Sequence, residues 1–136
     1  MHRPTMHRMV PLLLLLGAMS GCGGAQARSA DASAVVEKFE RAVHGGDAAV
    51  ACTLLAPQTR SELEDSAQVR CDAALKEEQL PDGGAVRDTA VYGQQAVITL
   101  QGDTLFLSQF PGGWRVVAAG CVPEAGKPYQ CQVKGG

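Results

Sequence analysis

The hydrophobic period of the chain changes near residue 85, and this change restricts the fold more than any other feature. Before it, apolar residues recur at helical spacing, as in Val35, Phe39, Ala42 and Val43. After it, four segments alternate as strands do, with short Gly-containing turns between them: 86–92, 95–100, 104–110 and 114–121. Helices followed by strands indicate an α+β domain, with N-terminal helices packed on a four-stranded antiparallel meander.

Caps and breakers divide the helical half into four helices. A Gly-Gly pair at 45–46 ends the first, and Asp47 is placed to cap a short second helix. The sequence 59–62 fits a capping box, which predicts a third helix beginning at Arg60. A fourth helical segment covers about 71–79, before a Pro- and Gly-containing turn.

The N-terminus has the layout of an export signal. Arg3 and Arg8 precede an apolar run over 9–19, which is too short for the about 20 apolar residues that cross a bilayer. The boundary at 19–22, Met-Ser-Gly-Cys, resembles the lipobox of bacterial lipoproteins. That resemblance implies a signal peptide at 1–21 and a diacylglyceryl group on Cys22, with acyl chains such as palmitate giving stable anchoring.

This leader predicts a protein anchored at the extracytoplasmic face of the cell membrane. Residues 22–30 are small, polar and aperiodic, so we expect a lipidated flexible tether there. Residues 31–136 have the length of one ordinary domain. A secreted protein with an unmodified Cys22 is the alternative.

The charge balance argues against a nucleic-acid partner. Of twelve Lys and Arg residues, Arg3 and Arg8 lie in the leader, which leaves ten against fourteen Asp and Glu. The remaining basic residues form no stripe, and the expected compartment contains no nucleic acid to bind. We expect the membrane, a small ligand or another envelope protein as partners instead.

Four cysteines remain when Cys22 is assigned to lipid: Cys52, Cys71, Cys121 and Cys131. An even set outside the cytoplasm predicts disulfides, and four cysteines allow three pairings. We favour the local pairing, 52 with 71 and 121 with 131, because each pair flanks a short segment. The second pair would close the Pro- and Gly-containing loop at 122–130. No zinc-type spacing is present.

The segment 35–63 and the meander ending in GGWRVVAAGC together resemble the nuclear transport factor 2-like superfamily, also called cystatin-like or ketosteroid isomerase-like. The chain is also similar to small uncharacterised lipoproteins of high-GC actinobacteria. The resemblance implies a long first helix across a strongly curved sheet that encloses a cone-like pocket. Some members of the superfamily are enzymes and many bind small molecules.

Candidate catalytic residues do not form a recognisable constellation. Ketosteroid isomerases use an Asp base and an oxyanion hole of Tyr and protonated Asp. By residue type, Asp88, Tyr92 and Asp103 are the counterparts, but none aligns with a family motif, so no catalytic role is carried over. Because no other catalytic motif is present either, we expect no enzyme and no cofactor.

The other candidate residues have simpler structural explanations. His44 is the only histidine after the leader and is placed to interact with a helix C-terminus. The acidic run Glu62, Glu64 and Asp65 fits a solvated helix face better than a cation site, so no metal residue is assigned. Tyr92, Phe106 and Trp114 are left as possible pocket residues, although the aromatic rings are also needed for the core.

Two function classes remain open. The first is a non-enzymatic, membrane-anchored binding or accessory module of the cell envelope. The second is a pocket enzyme of the ketosteroid isomerase-like type. The second needs at least two ionisable groups directed into one pocket, whereas a binding module does not.

Replacement of Cys22 by Ala tests the anchor. We expect the native protein to partition into detergent and the variant to remain soluble or unprocessed, because the variant lacks the sulfur that carries the lipid. Intact-mass measurement checks this. An unmodified chain that begins at Cys22, or cleavage at another site, would contradict the lipobox interpretation.

Overall fold

The computed structural model describes residues 23–135, which form a layer of helices on one side of an antiparallel sheet. The predicted signal peptide and Cys22 lie outside the described residues. The helices are α1 (Gly23–His44), α2 (Ala48–Leu54), α3 (Pro57–Ala67) and α4 (Cys71–Glu77). The strands are β1 (Val86–Tyr92), β2 (Gln95–Leu100), β3 (Thr104–Phe110), β4 (Gly113–Glu124) and β5 (Lys127–Lys134). The predicted α+β class is confirmed.

The sheet has five strands in the order β1-β2-β3-β4-β5, one more than the sequence predicted. The expected C-terminal loop is instead the β4–β5 hairpin. Its prolines concealed it, because proline is rare inside sheets. Pro123 lies at a register irregularity between Val122 and Glu124, and Pro128 lies on the edge strand β5, which are the two places where a sheet tolerates proline.

Helix α1 begins at Gly23, so residues 23–30, which were expected to belong to a flexible tether, are helical. Arg28 explains part of this difference, because its guanidinium binds to the sheet. It donates to the carbonyl of Gly93 and, at 3.1 Å, to the side-chain oxygen of Gln109. It also lies 5.6 Å from the ring centroid of Trp114. These long-range contacts are invisible to a local reading of a polar segment.

Helix α3 begins at Pro57 rather than at the predicted Arg60, and it has no side-chain cap. Proline is favoured in the first turn because its missing N–H has no partner there in any case. Thr59, expected to cap, is buried and donates its hydroxyl to the carbonyl of Val117 at 2.9 Å. The helix-capping prediction for Asp47 is confirmed, since its carboxylate accepts from the Val50 N–H.

The core lies between the helices and one face of the sheet. Alternation along β2 and β3 turns Ile98 and Leu105 toward the helices, where they pair across the strands. The largest fully buried apolar side chains come from α1 and four strands: Val36, Phe39, Ile98, Leu105, Leu107, Val116 and Val133. None of the four helices within residues 23–135 covers the opposite face of the sheet.

Both disulfides have the pairing expected from the sequence. Cys52–Cys71 joins α2 to α4, with Cα atoms 6.1 Å apart. Cys121–Cys131 joins directly opposed residues of β4 and β5, so it closes a hairpin rather than a loop. Each local closure restricts the unfolded chain, which stabilises the fold by about 2–4 kcal/mol.

Asp103, between β2 and β3, is buried and accepts three backbone hydrogen bonds. Its carboxylate binds the N–H groups of Thr104, Gly120 and Cys121 at 2.7, 3.0 and 3.0 Å. Gly120 has a φ of 65°, a conformation that favours glycine. Two successive N–H groups of β4 thereby meet one carboxylate, which ties the β2–β3 turn to the start of the β4–β5 hairpin.

Replacement of Asp103 by Ala should lower the free energy of unfolding by at least about 2 kcal/mol, because it leaves buried N–H groups without partners. Asp88→Ala is the matched control, since Asp88 is exposed on β1. Urea unfolding measures both. Equal effects of the two substitutions would show that the three hydrogen bonds contribute little.

The same carboxylate predicts a pH dependence. Burial raises the pKa of Asp103 above its ordinary 3.8, outweighing the three N–H donors, which lower it. The group therefore contributes stability below about pH 3.8, and this contribution is lost as pH rises through the raised pKa. Relative to Asp103→Asn, the free energy of unfolding of the wild type should fall with rising pH over that window, measured by urea unfolding. A free energy of unfolding that rises with pH over this window, relative to Asp103→Asn, would contradict the raised pKa of Asp103.

Candidate functional site

A cleft of about 340 Å³ lies on the sheet face that the helices leave open. Its floor is formed by outward-facing residues of β2 and β3, among them the opposed pair Val97 and Phe106. Tyr129 of β5 closes one side, with its ring 5.1 Å from that of Phe106 in an edge-to-face arrangement. Tyr92, Gln95 and further residues complete the lining: Ala96, Leu107, Ser108, Val117, Ala118 and Cys131.

The cleft contains two of the three aromatic residues that the sequence left as pocket candidates. Tyr92 and Phe106 line it, and the Tyr92 side chain is 69% exposed. Trp114 is buried on the opposite, helix-facing side of β4, so it belongs to the core. Its indole N–H has no hydrogen-bond partner among the described residues. The sequence analysis missed Tyr129, because it placed that residue in a loop.

The cleft lining is neutral. It includes two phenols, one amide and one hydroxyl, but no carboxylate, lysine, arginine or histidine. The two carboxylates once considered with Tyr92 lie elsewhere: Asp88 is exposed on β1, and Asp103 is buried and bound to backbone N–H groups. The three residues therefore do not meet in one pocket.

A second, polar cluster lies at the C-terminal end of α1. Glu40 and His44 are four residues apart, and Asp82 reaches them from the segment after α4. One ligand atom from each of the three lies within 4.8 Å of the other two. His44 Nε2 is 3.4 Å from Glu40 Oε2 and 3.0 Å from the carbonyl oxygen of Pro81.

Glu40 is the least exposed member of this cluster. Its side chain is 13% exposed, and its Oε2 accepts from the Gly83 N–H at 3.1 Å. Burial raises the pKa of Glu40, while the Gly83 hydrogen bond and His44 act in the opposite direction. The charges of Asp103 and Asp82 raise it further. Negative charge is therefore concentrated around this carboxylate.

Gly83 allows the loop to approach the cluster. A Cβ at this position would lie 2.8 Å from Glu40 Oε2 and would also meet a methyl carbon of Leu100, so a larger residue would displace the Glu40 carboxylate from its present position. The Gly83 carbonyl also accepts from the Gly102 N–H at 2.9 Å. The loop that carries Asp82 is thus fixed between α1 and the β2–β3 turn.

The sequence analysis assigned His44 to the helix terminus and did not combine it with Glu40 or Asp82. The spacing of Glu40 and His44 was a visible signal, because residues four apart share a helix face. No local pattern identified Asp82. The acidic run that was considered instead forms local contacts on α3, where Gln58 donates to Glu62 and Arg60 pairs with Glu64 at 3.0 Å.

No protein-family model, curated protein or solved structure matches this chain.

Proposed function

We propose that the protein is a lipid-anchored, extracytoplasmic binding module of the cell envelope, and that its outer-face cleft binds a small, largely apolar ligand. The neutral, partly aromatic lining of the cleft carries this proposal. Ligand pockets are usually apolar clefts with a few polar groups that fix orientation. Here Gln95 and Ser108 supply such groups, and the volume of about 340 Å³ suits a ligand of two or three rings.

Tyr129, on one side of the cleft, lies in a hairpin that is cross-linked by a disulfide. It stands on the β4–β5 hairpin two residues before Cys131, whose disulfide to Cys121 prevents the two strands from separating. The disulfide thereby restrains the backbone that carries Tyr129, and the Tyr129 ring lies against Phe106. A cleft that is formed before binding loses less side-chain entropy when the ligand enters.

The proposed location rests on the leader and its lipobox-like boundary at Cys22. No helix within residues 23–135 has the length and hydropathy to span a bilayer. Lipid on Cys22 is the means of attachment proposed here, on the resemblance of residues 19–22 to a lipobox. The disulfides agree with a compartment in which thiols are oxidised.

We also propose that the sheet is curved in the cone-like manner of the nuclear transport factor 2-like superfamily. Three register irregularities support this, because β-bulges bend strands and increase their twist. They lie between Val86 and Asp88, at Phe106/Leu107 and between Val122 and Glu124. The long helix α1, which packs on β1, β2 and β4, fits the same arrangement.

Isomerase-like catalysis has less support. Such chemistry needs a general base and an oxyanion donor at one substrate. The cleft offers Tyr92 and Tyr129 as donors, but its lining contains no base. Asp103, a buried carboxylate that does not line the cleft, is committed to three backbone N–H groups.

Titration with N-phenyl-1-naphthylamine, a neutral apolar fluorophore, tests the cleft. We expect fluorescence enhancement with the full-length protein. Binding should be about tenfold weaker in Phe106→Ala, because losing the apolar contact between the Phe106 ring and the probe costs about 1.4 kcal/mol of binding free energy. Tyr129→Ala should weaken binding in the same direction. Circular dichroism verifies that each variant is folded.

Val122→Ala is the matched control for this titration. Val122 is a large apolar residue, 60% exposed, that does not line the cleft. Its replacement should leave probe binding unchanged. If Val122→Ala weakens binding as much as Phe106→Ala, or if neither does, the probe binds elsewhere and the proposed cleft is refuted.

A further inference from the structure

We propose that Glu40, His44 and Asp82 form a binding site for one divalent transition-metal cation of the zinc class. This site is separate from the cleft and does not depend on the function proposed for it. It combines one imidazole nitrogen with two carboxylates on a helix end and a fixed loop. No described residue of the cluster lines the cleft.

The spacing of the donor atoms fits a small cation. Zinc bonds to nitrogen and oxygen of about 2.0–2.1 Å place tetrahedral ligand atoms about 3.3–3.4 Å apart. His44 Nε2 and Glu40 Oε2 are 3.4 Å apart. The Pro81 carbonyl oxygen, 3.0 Å from Nε2, accepts a hydrogen bond from the ring N–H, and a cation bound at Nε2 would take the place of that proton. A carboxylate oxygen of the exposed Asp82 lies within 4.8 Å of the ligand atoms of Glu40 and His44.

The surroundings hold Glu40 in position as a ligand. The Gly83 N–H donates to Glu40 Oε2, and an N–H donor of this kind orients a metal-binding carboxylate. One oxygen can accept this hydrogen bond and still bind a cation with its other lone pair. The side chain of His44 is 33% exposed, so the site is open to solvent for entry of the ion.

The local charge favours a cation. Two carboxylates, those of Glu40 and Asp82, each place an oxygen within 4.8 Å of the other and of a His44 ring nitrogen. The donor types then select among cations. Imidazole with carboxylates suits zinc and its neighbours, whereas magnesium and calcium prefer oxygen ligands alone.

Isothermal titration of the full-length protein with zinc chloride tests this site. We expect one zinc ion per chain in the saturable phase and much weaker binding of magnesium. His44→Gln and Asp82→Asn should each weaken zinc binding at least about tenfold, because loss of even an outer partner of a ligand costs 10–100-fold. X-ray absorption should show nitrogen and oxygen ligands without sulfur.

The variants distinguish zinc binding at this site from loss of folding and from zinc binding elsewhere. Asp82→Asn removes the charge of the side chain, but its amide oxygen can still accept from the Gly84 N–H, so the loop keeps its turn. This variant therefore still tests the site if His44→Gln does not fold. Glu37→Gln, on the exposed face of the same helix, is the control and should bind zinc as the wild type does. Absence of zinc binding at millimolar concentration overturns the proposal. So does binding that persists in both variants, which would assign zinc to other groups of the protein.

Discussion

The carboxylate of Asp103 joins parts of the molecule that local structure alone would leave separate. It lies in the turn between β2 and β3, yet two of its three hydrogen bonds go to β4, beyond the next hairpin. These bonds fix where β4 leaves the core and where the β4–β5 hairpin begins. The hairpin positions Tyr129, which lines the outer cleft. The shape of the cleft therefore depends on the buried carboxylate of Asp103, which does not line it.

The same charge affects the cluster at the end of α1. Asp103 raises the pKa of Glu40 through repulsion, and the adjacent Gly102 N–H binds the carbonyl of Gly83. The loop that carries Asp82 is therefore fixed from two sides. One turn of the sheet thus contributes to the geometry of both candidate sites, although it belongs to neither.

Much of the fold could be predicted because it is encoded locally. The bounds of β1, β2 and β3 agree with the sequence prediction, since period-two alternation and glycine turns mark both ends of each strand. β5 could not be recognised, because Pro128 is unfavourable in a strand unless that strand is at an edge, and edge position is a property of the whole sheet. The start of α1 was missed for the same kind of reason: Arg28 binds residues more than sixty positions away.

The candidate sites were less accessible to sequence reasoning. Tyr92 and Phe106 were identified as aromatic residues, but Tyr129 joins them only through the unrecognised hairpin. Glu40 and His44 share a helix face by their spacing, whereas Asp82 meets them through tertiary structure. Trp114 was a pocket candidate by residue type, but its position in the alternation of β4 directs its side chain into the core.

The early start of α1 has a consequence for how the molecule would stand on a membrane. Gly23 is the neighbour of Cys22, so the Cα of the residue that would carry the lipid is about 3.8 Å from the first helical Cα. Arg28 binds the sheet at Gly93 and Gln109, while His44 lies sixteen residues further along the helix, about 24 Å away. On the proposed anchoring, the helix would begin directly at the lipid-bearing residue, and the Glu40–His44–Asp82 cluster would lie at the end of α1 that is remote from the lipid.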